Sequence, residues 1–127
     1  MATTELDELL GLVGRQGFLA HEFKSDRDGP EVLAFVRYWA GGSADVVIVF
    51  DEVRASAFRT AGSGADVFAP ELVSWWYVSN PVWTLRALLA LPGPGHPDEP
   101  IELMRPPPEY LLPAGDRMPV RVRARPH

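Results

Sequence analysis

The stretch that decides the fold is Leu72-Val-Ser-Trp-Trp-Tyr-Val-Ser-Asn-Pro-Val-Trp-Thr-Leu-Arg-Ala-Leu-Leu-Ala-Leu91. Its first part is rich in β-branched and aromatic residues, which is typical of a strand. Asn80 is a good N-cap and Pro81 a good first helical residue, so the chain turns into a helix there. Only two of the ten residues after Pro81 are polar. This composition predicts a buried helix near 80–91.

Upstream of this stretch, strand-like segments alternate with turns. The turn formers cluster at Ser25–Pro30 and at Ala40–Ser43, and the segments between the clusters alternate in side-chain character. Together with the segment before Asn80, they predict an antiparallel sheet of about four to six strands in an α+β fold. The predicted strands are Phe18–Lys24, Val32–Trp39, Val46–Phe50 and Val53–Thr60.

The N-terminal segment has the pattern of an amphipathic helix over about 4–15. Thr4 is placed to cap it, and acidic residues follow in the first turn, where the helix dipole favours negative charge. Gly14 and Gly17 mark its end. Apolar residues at helical spacing form one stripe, and they are Leu6, Leu9, Leu10 and Val13.

The C-terminal part differs in composition from the rest of the chain, because ten of the 13 prolines lie between Pro92 and Pro126. We expect residues 1–127 to form a single domain, with an α+β core over 1–91 and a proline-rich, extended strap over 92–127 that packs on it. Disordered tails are poor in large apolar residues, whereas this segment contains Ile101, Leu103, Met104, Tyr110, Leu111, Leu112, Val120 and Val122. Within the strap we expect a short strand at Ile101–Met104 and an edge strand at Val120–Arg125.

Composition narrows the classes of function. The formal net charge of −5 argues against nucleic-acid binding. The absence of cysteine excludes disulfides and thiol chemistry. No apolar run reaches the ~18 residues of a membrane span, and the acidic N-terminus is unlike a signal peptide. We therefore expect a cytoplasmic protein without membrane contact. Arginine is far more frequent than lysine, which is typical of proteins encoded by GC-rich bacterial genes.

No group of residues has the spacing of a known catalytic or metal-binding motif. The three histidines, His21, His96 and His127, lie in separate segments, and no Gly-x-Ser-x-Gly sequence is present. We therefore predict no catalytic residues, no metal ligands and no cofactor, and we regard a non-enzymatic role as the better supported one.

The aromatic residues of the opening stretch are the candidate ligand-binding or interface residues. Trp75, Trp76, Tyr77 and Trp83 lie within nine residues. Adjacent strand residues point to opposite faces, so Trp75 and Trp76 cannot share one core, although the sequence leaves open which of them is exposed. Arg86 is a further candidate, because it is the one charged residue of the predicted apolar helix. We expect it to pair with a nearby acid, for which Asp51 and Glu52 are the candidates.

Two functions remain open on this basis. The first is a non-enzymatic, cytoplasmic protein–protein interaction domain that forms a homodimer or binds another protein, because the aromatic surface exceeds what one core needs. The second is a small-molecule-binding protein or small enzyme. Its aromatic-lined pocket would lie between the sheet and the helix, touch Trp76, Trp83 and Arg86, and accept an apolar or acidic ligand.

Overall fold

The computed structural model describes residues 4–24, 31–61, 67–108, 111 and 119–124. Within them the chain forms two helices and six strands. In chain order these are α1 Glu5–Arg15, β1 Leu19–Lys24, β2 Glu31–Tyr38, β3 Ala44–Val49, β4 Ala55–Thr60, β5 Val73–Ser79, α2 Pro81–Ala90 and β6 Pro119–Ala124.

The strands form one antiparallel sheet with the order β5-β4-β3-β2-β1-β6. The first five strands are a meander in which each strand pairs with the next along the chain. The last strand returns to pair with β1 at the opposite edge from β5. This arrangement confirms the predicted α+β fold with an antiparallel sheet.

Both helices begin where the sequence indicates. The side chain of Thr4 accepts a hydrogen bond from the Asp7 backbone N–H at 3.1 Å, and that of Asn80 accepts one from the Trp83 backbone N–H at 2.9 Å. Pro81 occupies the first helical position, where its missing N–H is not needed. Removing either cap would cost about 1 kcal/mol of stability.

The sheet is buried on both faces, because successive residues of its central strands enter two different cores. Val47 of β3 faces α1 and α2, whereas its neighbours Val46 and Ile48 face the other way. The helix-side core consists of Val13, Phe18, Ala20, Phe35, Val47, Ala57, Leu85 and Leu88. The far-side core includes Phe23, Val36, Val46, Ile48 and Phe58, and is covered in part by Phe68, Met104 and Leu111. Each fully buried side chain of this size contributes roughly 1.5–3 kcal/mol.

The second helix packs against the sheet as predicted, and its burial is one-sided. Thr84, Leu85 and Leu88 are buried at helical spacing, whereas 52% of Trp83 is exposed. An α-helix that packs on a sheet buries one stripe, and the apolar residues outside that stripe stay at the surface. The outer face of α2 therefore presents a large aromatic side chain to solvent.

The described part of the proline-rich segment passes around the β5 edge, from the helix side of the sheet to the far side. The carbonyl of Pro92 accepts a hydrogen bond from Arg59 on the helix side. Met104 then exchanges two backbone hydrogen bonds with Val73, at 2.8 and 2.9 Å, and packs on the far-side core with Leu111. The tail is therefore attached to the sheet at both ends of this crossing.

The structure differs from the predicted strap in two details. Ile101–Met104 is not a strand, because Met104 alone forms an isolated bridge there. Ile101 and Leu103 are 79% and 53% exposed, so these two apolar side chains do not anchor the segment. The edge strand expected at Val120–Arg125 is β6, at Pro119–Ala124. The remaining strap residues, 109–110, 112–118 and 125–127, lie outside the described residues.

Neither helix in the described ranges has the length and apolar character that crossing a membrane requires.

Candidate functional site

The two adjacent tryptophans of β5 lie on opposite faces of the sheet. Trp75 packs against the helix-side core, and its ring is stacked with that of Tyr77 at a centroid distance of 6.3 Å. Trp76 lies directly opposite Phe58, which belongs to the far-side core. The more exposed of the pair is Trp76, at 37%. The five candidate residues are therefore divided between two faces.

Trp83 and Arg86 are brought together on the outer face of α2. The guanidinium carbon of Arg86 lies 4.9 Å from the centroid of the Trp83 ring, within the range of a cation–π contact. The acid that pairs with Arg86 is Glu5 of α1. The expectation of Asp51 or Glu52 as its partner is therefore wrong. The two helices pack side by side, which places the first turn of α1 within reach of Arg86.

Next to Trp83 lies an open groove of about 530 Å³. It forms where the start of α1, the turn between β3 and β4, and the start of α2 meet. Its lining carries one ionisable side chain, Glu52, among mainly apolar neighbours. The lining residues are Leu6, Glu52, Val53, Asn80, Pro81, Val82 and Trp83.

The β3–β4 turn holds an apolar side chain out at the rim of this groove. The Asp51 carboxylate accepts hydrogen bonds from the backbone N–H groups of Val53 and Arg54, at 2.8 and 2.9 Å. This local bonding is characteristic of aspartate in turns. It leaves Val53 76% exposed. Val53 and Trp83 are thus two exposed apolar residues in the lining of one groove.

Of the five candidate residues from the sequence, one lines the groove. Trp83 lines it, and Arg86 lies beside it on the Trp83 ring, whereas Trp75, Trp76 and Tyr77 do not line it. Leu6 and Val53 also line the groove, and neither was among the candidate site residues. An apolar residue within the turn sequence Asp51-Glu-Val-Arg was the signal that could have indicated Val53.

A second cluster lies at the other end of the helix-side face, around a buried ion pair. Arg59 donates from Nε to Asp45 Oδ1 at 2.6 Å and from Nη2 to Asp45 Oδ2 at 2.9 Å. Its remaining Nη1 donates to the carbonyl of Pro92 at 2.7 Å. Both side chains are almost fully buried. Each nitrogen of this guanidinium therefore has an acceptor, and the pair connects two strands to the start of the tail.

Arg37 is the second cation of this cluster, and its guanidinium contacts two aromatic rings. Its guanidinium carbon lies 4.1 Å from the Trp39 ring centroid and 4.9 Å from that of Phe18. Nη1 donates to the Gln16 backbone carbonyl and to Gln16 Oε1, both at 3.3 Å. Burial lowers the pKa of Arg37; Asp45 opposes this shift and the nearby Arg59 adds to it.

Two N–H groups of this cluster lack acceptors in the described part of the chain. Arg37 Nε and Trp39 Nε1 are both buried and make no hydrogen bond. The tail packs closely here, because a Cβ added to Gly93 would lie 3.2 Å from Trp39 Cη2. Unsatisfied buried donors are uncommon in folded proteins and call for a physical reason.

His21 is a partly buried ionisable side chain on the far side of the sheet. Its ring lies edge-on to Phe68 at 5.3 Å and is stacked with Phe23 at 6.2 Å. Neither of its nitrogens has a hydrogen-bond partner among the described residues. Burial lowers the pKa of His21 below its usual value, which favours the neutral imidazole. Across the same ranges, no three His, Asp or Glu side chains are close enough together to hold a metal ion.

Comparison of the chain with protein-family models, with curated proteins and with solved structures finds no match.

Proposed function

We propose that this chain is a cytoplasmic, non-enzymatic protein–protein interaction domain that forms a homodimer through the groove beside Trp83. The observation that carries the proposal is the position of an exposed tryptophan at the edge of an open, mainly apolar depression. Tryptophan is among the residues most enriched at the energetic centre of protein interfaces.

A projecting side chain next to a depression suits a two-fold interface. In such an interface the same patch occurs on both subunits, so Trp83 of one copy enters the groove of the other, and the reverse. Val53 adds a second exposed apolar side chain to the patch. Glu52 and the pair Glu5–Arg86 supply the polar rim that interfaces of this kind have.

Size-exclusion chromatography with light scattering tests this surface with two matched variants. Val53→Asp places a carboxylate in the patch next to Glu52, and we expect it to give the monomer mass. Ile101→Asp is the control, because Ile101 is similarly exposed, at 79% against 76% for Val53, and does not line the groove. We expect this control to keep the dimer mass. A dimer that persists in Val53→Asp would overturn the assignment of the interface to the groove.

A small-molecule-binding role is the second candidate, favoured by the size of the groove. A volume of about 530 Å³ falls within the roughly 300–1,000 Å³ of sites for drug-sized ligands. Glu52 lines the groove and Arg86 is already paired with Glu5, so an apolar or cationic ligand suits it better than an acidic one. Thermal unfolding with a panel of neutral aromatic compounds tests this role. Stabilisation by a compound that is abolished in Trp83→Ala would support it, and no stabilisation by any compound would count against it.

A further inference from the structure

We propose that the side-on edge of Arg37, formed by its Nε and Nη2 atoms, binds a carboxylate group of a small molecule. This edge has no hydrogen-bond acceptor in the described part of the chain. Nε is without a partner, and Nη2 lies 3.9 Å from Asp45 Oδ2, too far for a hydrogen bond. The site is distinct from the groove beside Trp83 and does not depend on the dimer.

The charge of the cluster favours an additional anion. Two guanidinium groups, those of Arg37 and Arg59, share the single carboxylate of Asp45. Both oxygens of that carboxylate are bound by Arg59, at 2.6 and 2.9 Å. The other partner of Arg37, Gln16, is uncharged. Among the described residues, one positive charge of this cluster therefore has no carboxylate of its own. It lies in a partly buried place, where an anion is attracted more strongly than in water.

The surroundings of Arg37 also orient its guanidinium. Phe18 and Trp39 cover the side chain at 4.9 and 4.1 Å, which holds the planar group in place. About 23% of the Arg37 side chain is exposed, so an anion reaches it from solvent. Because Nε itself is covered, the anion approaches this edge from the Nη2 side.

A carboxylate is the oxyanion whose shape fits this edge. Its two coplanar oxygens accept two parallel N–H···O bonds from one side of a guanidinium, which is the strongest pairing that arginine makes. The indole N–H of Trp39 is a further donor of the same cluster that has no acceptor among the described residues. A ligand oxygen in this place would remove the cost of leaving these buried donors without acceptors.

Two-dimensional ¹H–¹⁵N spectra of the arginine Nε–H and tryptophan Nε1–H groups test the proposal with acetate as the probe. Sodium acetate replaces sodium chloride at constant ionic strength. We expect saturable shifts of the Arg37 and Trp39 signals in the full chain. Signals that do not move, or that move equally with chloride, would overturn the proposal and leave a bound water as the acceptor.

Two variants and a control test whether acetate binds at Arg37. Arg37→Lys keeps the charge but loses the side-on pair, so we expect acetate affinity to fall about tenfold or more. Trp39→Phe keeps a ring over the guanidinium and removes one donor, and here we expect a smaller loss. Arg54→Lys is the control, because Arg54 also stacks on a ring, that of Phe50 at 4.5 Å, but outside this cluster. Unchanged acetate affinity in Arg37→Lys, or an equal loss in Arg54→Lys, would contradict the assignment to Arg37.

Discussion

Arg59 and Asp45 face each other across β3 and β4 as a buried, two-pronged ion pair, with N···O distances of 2.6 and 2.9 Å. The third hydrogen bond of Arg59, to the Pro92 carbonyl, extends the pair to the tail. Burying two charges costs desolvation free energy. Removing one member of a buried pair is more destabilising still, because the other charge stays buried without a partner. The stability of the fold therefore depends strongly on both members.

Replacing Asp45 by asparagine should lower the free energy of unfolding by about 3–5 kcal/mol, because the buried guanidinium of Arg59 loses its carboxylate partner and the partly buried Arg37 loses the nearby negative charge. Glu5→Gln is the matched control, since it neutralises the acid of the exposed pair with Arg86, whose side chains are 49% and 43% exposed. Exposed pairs contribute about 0–1 kcal/mol. Urea unfolding measures both changes, and similar losses in the two variants would contradict the importance assigned to the buried pair.

The pH dependence of stability should include a contribution from His21. Burial lowers its folded-state pKa below the ordinary value of 6.5, so protonation favours the unfolded chain. The contribution to stability is fully present above pH 6.5 and is lost as the pH falls from 6.5 towards the lowered folded-state pKa. Urea unfolding between about pH 8 and about pH 5.5 measures this effect.

Replacing His21 by leucine should remove that part of the pH dependence. At pH near 7 the change should be neutral or stabilising, because it removes two buried nitrogens that have no hydrogen-bond partner among the described residues. His96→Gln is the control, because the His96 side chain is half exposed and lies outside both cores; an equal loss of pH dependence in this variant would contradict the assignment to His21. A profile that is the same in His21→Leu and in the parent chain would show that His21 titrates normally.

The attachment of the tail should be measurable with two single substitutions. Met104→Ala removes a partly buried side chain from the far-side core and should cost about 1–2 kcal/mol, somewhat less than a fully buried methionine. Ile101→Ala changes a side chain that is 79% exposed and should stay within about 0.5 kcal/mol of the parent. Equal effects in thermal or urea unfolding would show that the tail does not pack as described.

The strands and helices were largely predictable because local patterns decide them. The alternation in β2 and the Asn80–Pro81 helix start are features of neighbouring residues, and the structure places those elements within a few residues of the predicted bounds. The register of β5 was not predictable. An irregularity between Arg59 and Thr60 shifts its pairing with β4, and a one-residue shift changes which face a side chain occupies.

The candidate sites depended on contacts between distant parts of the chain, which the sequence does not reveal. Glu5 and Arg86 are 81 positions apart, so a nearer acid was the natural but incorrect choice. The pair Asp45–Arg59 depends on the register of β3 against β4. Val53 joins Trp83 at one groove only because a turn and a helix start meet there. None of these contacts follows from periodicity or composition.

Sedimentation equilibrium of the unmodified chain over a wide concentration range tests the central proposal most directly. The homodimer predicts a mass that approaches twice the monomer mass of 14.0 kDa as the concentration rises. A mass that stays at 14.0 kDa up to the highest concentration would contradict the proposed homodimer.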